Sequence, residues 1–255
     1  MTLIAFDFDG VICASASETG ASAWRGAAKI WPKEFKDCPE ASPERIQKFC
    51  QVRPALETGY QAILMAKMIK DGYPKEDFQN HFLDIAHKMM AEQQLTTEML
   101  AKLFGEMRDQ WIEHDLAGWL NVHDFYPGVI DAFQKLVKKH DVVILTTKQE
   151  RFVKLLLENQ GVDFPKERIY GLERKRKKED WLLQFQNEGK KDIHFIEDRL
   201  GTLLRVKEIP ELSGVHLHYA DWGYGTAAEL VQVKQDERIL LLTLKQLTSL
   251  HFLDE

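Results

Sequence analysis

Cysteine is scarce in this chain. Cys13, Cys38 and Cys50 are all it has, and no two of them stand in CxxC spacing. An odd, scattered set argues against a disulfide framework or a cysteine-built zinc site and fits a reducing compartment, so a cytoplasmic location is expected. Long hydrophobic runs are lacking too. No window approaches the roughly 18 consecutive apolar residues of a membrane span, so no membrane partner is expected. Met1 leads directly into a strand-like segment without a charged leader, and export is not expected. Positive charge is not in excess: Lys and Arg number 34 against 40 Asp and Glu, a formal net charge of -6. That balance gives no global attraction to nucleic acid. The one basic run, "RKRKK" at 174–178, lacks interleaved aromatics and reads as a solvated face.

What is present describes an ordinary water-soluble chain, with 44% hydrophobic and 29% charged residues over a length that suits one large domain or a core with a smaller companion. From about Glu18 to Asp115 there is almost no β-rich run, while apolar residues recur three and four apart. Ala23, Ala27 and Ile30 form one such set, and Leu64, Met68 and Ile69 another. Phe78, Phe82, Ile85 and Met89 follow, then Met99, Leu103, Met107 and Trp111. Each set implies one buried face of a helix. Breaks fall at "KDGYP" and near "HDLAGW".

From about Tyr126 onward the text alternates. "GVIDAFQKLVKK" reads as a helix, "DVVILTT" as a strand, "RFVKLLLEN" as a helix and "RIYGL" as a short strand. "KEDWLLQFQ" and "DIHFIED" repeat the pair, "GVHLHYADWGYG" is a strand running into a Gly-rich loop, and "RILLLTLKQL" is a last strand and helix. Alternation of this kind implies right-handed crossovers and a mainly parallel, Rossmann-like α/β sheet with helices on both faces. The first strand, Leu3 to Phe8, belongs to that sheet. The expected organisation is therefore an α/β core of residues 1–14 and 122–255 with an inserted α-helical cap of residues 15–121.

Ligands bind such sheets at the carboxyl ends of the strands. There the first strand ends in Asp7 and Asp9, "DVVIL" in Thr146 and Thr147 followed by Lys148, and "IHFI" in Glu197 and Asp198. Buried carboxylates must be paired, hydrogen-bonded or bound to a cation. Acids, hydroxyls and an ammonium converging on one edge are what phosphoryl transfer needs: oxygen ligands for Mg²⁺, donors for phosphate oxygens, and an acid or base by the leaving group. His216 and His218 alternate with Val215 and Leu217 and read as one structural face of a strand rather than as zinc ligands.

These residues resemble the haloacid dehalogenase-like (HAD) hydrolase superfamily, in its phosphoglycolate phosphatase-like branch with an inserted helical cap. The first family motif, Asp-x-Asp-Gly-[Thr/Val], stands as Asp7, Phe8, Asp9, Gly10 and Val11. The second, an apolar strand ending in a hydroxyl residue, stands as "VVILT" with Thr146. "FYPGVIDAFQKL" is similar to the family's return from cap to core, and "HFIED" to its fourth motif. The resemblance covers nearly the whole chain. It implies a small phosphorylated metabolite as substrate, Mg²⁺ as cofactor and an aspartyl-phosphate intermediate. Asp7 is implied as nucleophile and Asp9 as acid and base whose backbone carbonyl also touches the cation. Asp7 and Asp198 are implied as metal ligands, and Thr146, Thr147 and a lysine as phosphate contacts. Gly10 is expected where a Cβ would obstruct the approach of phosphate.

The third motif, a lysine opening a helix, aligns best on Lys177, with Lys175 and Lys178 as alternatives. The family's second acid, four residues beyond the metal-binding aspartate, is Thr202 here, which makes Glu197 the second-choice metal ligand. Asp9 suits an alcohol leaving group, hence a phosphatase or phosphomutase. A phosphonate hydrolase would need a cap lysine poised as an amine, for which Lys29 and Lys67 stand open, and a non-catalytic binding or regulatory protein of the same fold is the remaining alternative. The substrate and the oligomeric state are not legible.

Overall fold

Four apolar residues, Leu3–Phe6, form β1, and all four are buried. The computed structural model describes residues 2–253 and places β1 in the interior of a six-stranded sheet. The chain divides into two units, one made of the residues up to Ala14 together with those from Phe125 onward, the other of Ser15–Asp124.

The first unit opens with β1 and the short β2 (Cys13–Ala14). The second unit holds six helices: α1 (Ala16–Ile30), α2 (Pro43–Val52), α3 (Gln61–Asp71), α4 (Lys75–Asn80), α5 (Phe82–Glu92) and α6 (Thr97–Asn121). Then come β3 (Asp124–Phe125), which pairs with β2, and α7 (Val129–Lys139). The alternating part runs β4 (Asp141–Leu145), α8 (Glu150–Asn159), β5 (Ile169–Tyr170), α9 (Lys178–Asn187) and β6 (Ile193–Glu197). It ends with α10 (Leu200–Lys207), β7 (His216–Ala220), α11 (Ala227–Lys234), β8 (Ile239–Leu242) and α12 (Leu244–Ser249).

The main sheet has the order β5-β4-β1-β6-β7-β8 and every pairing in it is parallel. A parallel sheet is covered on both faces, so its strands read as apolar runs rather than alternations. Leu3 and Ala5 pack with Leu182, Leu203 and Phe195. Phe6 meets Phe133 of α7 edge-on at 5.6 Å, and Phe133 in turn meets Phe164 at 5.2 Å. From β1 the chain order runs outward through β4 and β5, then returns to β6 on the other side. The reversal lies between β1 and β6, which is where this topology opens a crevice.

In the helical unit α3 is the central element, with nine of its eleven residues buried, Gln61 through Ile69. Trp24 of α1 packs edge-on against Phe35 at 5.1 Å and donates its indole N–H to the Cys38 carbonyl at 2.8 Å. Glu18 is fully buried and is held by Arg108 through two bonds of 2.8 and 2.7 Å, and by the Ser22 hydroxyl at 2.6 Å. Such a pair is costly to break, because either partner left alone is an uncompensated buried charge. One detail differs from the periodicity reading and another agrees with it. The buried face of α6 is Leu100, Phe104 and Met107, with Met99 53% exposed, so the stripe is turned by about one residue. The break near "HDLAGW" is a non-helical Asp115 (φ -154, ψ 75) inside α6, whose carboxylate accepts from the Gly118 N–H at 2.8 Å and so restarts the helix.

Candidate active site

Register brings the site residues together. Phe6 is level with Ile144 of β4 and Ile196 of β6. The next residue, Asp7, is thus level with Leu145 and Glu197, and Thr146 and Asp198 lie one step further on. The Asp7 N–H donates to the Ile196 carbonyl at 2.9 Å, which continues the ladder one residue beyond β1. Three strands therefore deliver Asp7, Thr146, Glu197 and Asp198 to the carboxyl edge, and all four are buried.

Beyond Asp7 the chain turns sharply. The Phe8 carbonyl accepts from the N–H groups of Ile12 and Cys13, and Gly10 N–H donates to the Cys13 carbonyl. Gly10 has φ +95, and a Cβ there would lie 2.0 Å from Asp198 Oδ2. The glycine is required here by the Asp198 carboxylate and a left-handed backbone. Gly223 is similarly crowded, since its Cβ would lie 2.3 Å from the Asp198 Cβ. This loop after β7 is part of the site: the Tyr224 N–H donates to Asp198 Oδ2 at 2.6 Å, and the Trp222 indole N–H donates to the Val11 carbonyl at 3.0 Å. The Gly-rich character of "DWGYG" was the available signal for it.

The lysine at the centre is Lys178, not Lys177. Lys178 Nζ lies 2.7 Å from Asp7 Oδ1 and 2.7 Å from Glu197 Oε2. Lys177 and Lys175 are exposed; Lys177 is the N-cap of α9 and Lys175 sits in a left-handed turn. The sequence alignment was off by one because α9 begins at Lys178, whose side chain points back into the site, and a basic run offers no internal mark of that boundary. Lys148 is a second ammonium that the motifs did not single out. Its side chain is 1% exposed and bonds Asp9 Oδ1 at 2.9 Å, while its N–H donates to Thr146 Oγ1 at 3.1 Å. Thr147, by contrast, is exposed.

Burial pushes the Asp7 carboxyl up to about 7, with Glu197 and Asp9 adding to the rise and Lys178 opposing it. For Lys178 burial acts to lower the ammonium, but Asp7 and Glu197 outweigh it and hold the group above the ordinary lysine range. Asp7, Glu197 and Asp198 offer one oxygen each within 4.8 Å of one another, and all three are buried. Three carboxylates around one ammonium leave net negative charge in a dry place, and a hard divalent cation with oxygen ligands fits that donor set. Glu197 is more committed than the other two: Oε2 accepts from Lys178, and Oε1 accepts from the N–H groups of Asp198 at 3.1 Å and Arg199 at 3.0 Å.

A family model for haloacid dehalogenase-like hydrolases matches residues 1–203. The chain belongs to the haloacid dehalogenase-like hydrolases. Solved structures share its fold over nearly their whole length at low identity. One is a predicted phosphoglycolate phosphatase from Haemophilus somnus 129pt, 17% identical, TM-score 0.61, covering 100% of this chain and 98% of that one. Another is a predicted phosphatase from Clostridium acetobutylicum, 15% identical, TM-score 0.57, with coverage of 100% and 99%. A hydrolase from Pseudomonas syringae is 14% identical with TM-score 0.52 and coverage of 99% on both sides. Among curated proteins no relative matches. For this hydrolase the α/β core is thus the family fold, and among the described residues no helix is long and apolar enough to cross a membrane.

Proposed function

We propose that this hydrolase is a Mg²⁺-dependent phosphatase that cleaves a small phosphate monoester through an aspartyl-phosphate on Asp7. The observation that carries the reading is the buried Asp7 bonded to Lys178 at the end of β1, with Asp9 two residues on and bonded to Lys148. In the first step an Asp7 carboxylate oxygen attacks phosphorus, the bond from phosphorus to the ester oxygen breaks, and Asp9 gives its proton to the departing alcohol. In the second, Asp9 takes a proton from water as the water oxygen attacks the aspartyl-phosphate, releasing Asp7 and inorganic phosphate.

Lys178 holds the Asp7 oxygen and offsets phosphate charge, Glu197 holds Lys178, and Lys148 orients the Asp9 carboxyl. Because Thr146 Oγ1 accepts from the Lys148 N–H, its hydroxyl proton can be donated to a phosphoryl oxygen. Asp7, Asp198 and the Asp9 carbonyl would hold the cation. When bound, Mg²⁺ supplies positive charge that reduces the repulsion between the Asp7 carboxylate and the anionic phosphate. The helical unit is assigned the role of substrate-selecting cap that the family resemblance implies.

A phosphonate-cleaving reading through Lys67 loses support: burial works to lower that ammonium, but Asp71 and Glu34, each 2.5 Å away, hold it above the ordinary range, so it is not poised as a neutral amine. The deciding experiment is rapid acid quench of the enzyme with an aryl phosphate, Mg²⁺ or chelator, followed by peptide mass spectrometry. Turnover with Mg²⁺ and a phosphorylated Asp7 peptide are expected; full turnover in excess chelator, or no covalent species under single-turnover conditions, would overturn the mechanism.

A further inference from the structure

At the opposite edge of the sheet a second group of metal-ligating side chains comes together. Asp192 immediately precedes β6, His194 is its second residue, and His216 is the first residue of β7. His194 and His216 are partners in the β6–β7 ladder, so their side chains share one face, and their rings stack at 4.4 Å. Asp192 Oδ1 lies 3.3 Å from His194 Nε2 and 3.8 Å from His216 Nε2. The three ligand atoms fall within 4.8 Å of one another. We propose that Asp192, His194 and His216 form a second site, for a transition-metal ion of the Zn²⁺ class, with solvent in the remaining coordination position.

Tetrahedral zinc with ligands at about 2.05 Å sets its donor atoms about 3.3 Å apart. The Asp192–His194 pair already has that separation; the His216 ring, stacked on His194 at 4.4 Å, must turn out of the stack to aim its Nε2 at the same point, and its 46% exposure leaves room for that rotation. Two imidazoles and one carboxylate suit Zn²⁺ and its neighbours rather than Mg²⁺. The surroundings hold these groups in place. The Thr2 hydroxyl donates to Asp192 Oδ2 at 2.5 Å, which turns Oδ1 toward the rings. His194 Nδ1 lies 2.9 Å from His218 Nε2, and Phe252 packs edge-on against both rings. Facing a carboxylate oxygen at 3.3 Å, His194 Nε2 must carry either a proton or a metal. With metal bound, His194 takes its proton on Nδ1 and donates it to His218, which is how a neighbouring acceptor fixes the tautomer of a ligating histidine. Asp198 lies four residue steps beyond His194, about 13 Å of extended chain, so the site is distinct from the carboxylates at the other end of β6.

The test titrates ZnCl₂ into the full-length protein held in millimolar Mg²⁺, by calorimetry, for wild type, His216→Ala, Asp192→Asn and Asp198→Asn. One equivalent is expected in wild type and in Asp198→Asn, weakened at least about tenfold in His216→Ala and Asp192→Asn. Both substituted side chains of the new site are half exposed, so these variants are expected to fold, with circular dichroism as the check. Nitrogen-15 NMR of the wild-type imidazoles gives a readout independent of any variant: Zn²⁺ should move His194 to, or hold it in, the Nδ1–H form with Nε2 metal-shifted. No zinc uptake beside Mg²⁺, uptake that survives both His216→Ala and Asp192→Asn, or uptake lost in Asp198→Asn would overturn the proposal.

Discussion

A shift of one position separates Lys177, exposed at the helix N-cap, from Lys178, bonded to Asp7 and Glu197. Lys178→Met is expected to lower kcat by about 10²–10³ and Lys177→Met to leave it within about twofold, because only the former removes a charge aimed at the reacting centre. Steady-state kinetics on both variants checks this, and the reverse ranking would move the phosphate contact back to Lys177. The two aspartates are separable as well. Asp7→Asn should abolish turnover and the phosphorylated peptide together, since an amide cannot form the acyl-phosphate. Asp9→Asn should still be phosphorylated by an activated aryl phosphate, whose leaving group needs little protonation, and the intermediate should accumulate because water attack has lost its base. Quenched-flow mass spectrometry distinguishes these outcomes. Asp7 and Asp9 were legible from sequence because acids ending an apolar strand are conspicuous. Lys148 was not, because a lysine after a strand is usually solvated and only burial beside Asp9 changes its meaning.

At the scale of elements, the stack of His194 and His218 on β6 and β7 carries a pH dependence. Burial depresses both, His194 to about 4 and His218 to about 3; His216 adds to both shifts, His194 also lowers His218, His140 also lowers His194, and Asp192 opposes the shift on His194. A depressed folded-state pKa means that the unfolded chain binds the proton first. The stabilisation is therefore present above the ordinary histidine value near 6.5 and is lost as pH falls from there toward 4. Urea titrations between those limits should show falling stability, with a shallower slope in His218→Gln; an unchanged slope would remove these histidines from the account. The turn after β1 makes a second prediction: Gly10→Ala combines a positive φ with a Cβ 2.0 Å from Asp198 Oδ2. A loss of about 1–3 kcal/mol by denaturant unfolding, with weakened Mg²⁺ binding, is expected. Element types were readable where periodicity was strong. The face of α6 was not, since Met99, Leu100, Leu103 and Phe104 satisfy helical spacing in two registers and only packing selects Leu100 and Phe104.

For the whole molecule, cation binding to the folded state should stabilise by mass action. Mg²⁺ at about a hundred times its Kd adds about 2.7 kcal/mol, which for a chain of this size raises Tm by roughly 5–10 °C. Asp198→Asn should lose most of that gain in a thermal scan, and an equal gain in wild type and variant would remove Asp198 from the metal site. The cap role proposed for residues 15–124 has its own check. Hydrogen exchange in that unit should slow when a phosphate analogue is added with Mg²⁺, as expected of an element that closes during attack on phosphorus. Exchange identical in both states would leave the unit a passive insertion.

Local chemistry was enough for the sequence to determine the class of fold and which strand ends carry acids. Apolar strand runs alternating with helical periodicity dictate a covered parallel sheet, and acids at the strand ends carry the proposal of a cation-dependent phosphatase. Tertiary structure decided which partners meet. The register Phe6–Ile144 and Phe6–Ile196 sets Asp7 beside Glu197. The start of α9 selects Lys178 over its neighbours, and the loop after β7 brings the Tyr224 N–H to Asp198. These are contacts between residues far apart in the chain, and no periodicity encodes them. Pairing two distant strands also sets His216 against His194, which turns what reads as one alternating strand face into a candidate ligand set with Asp192.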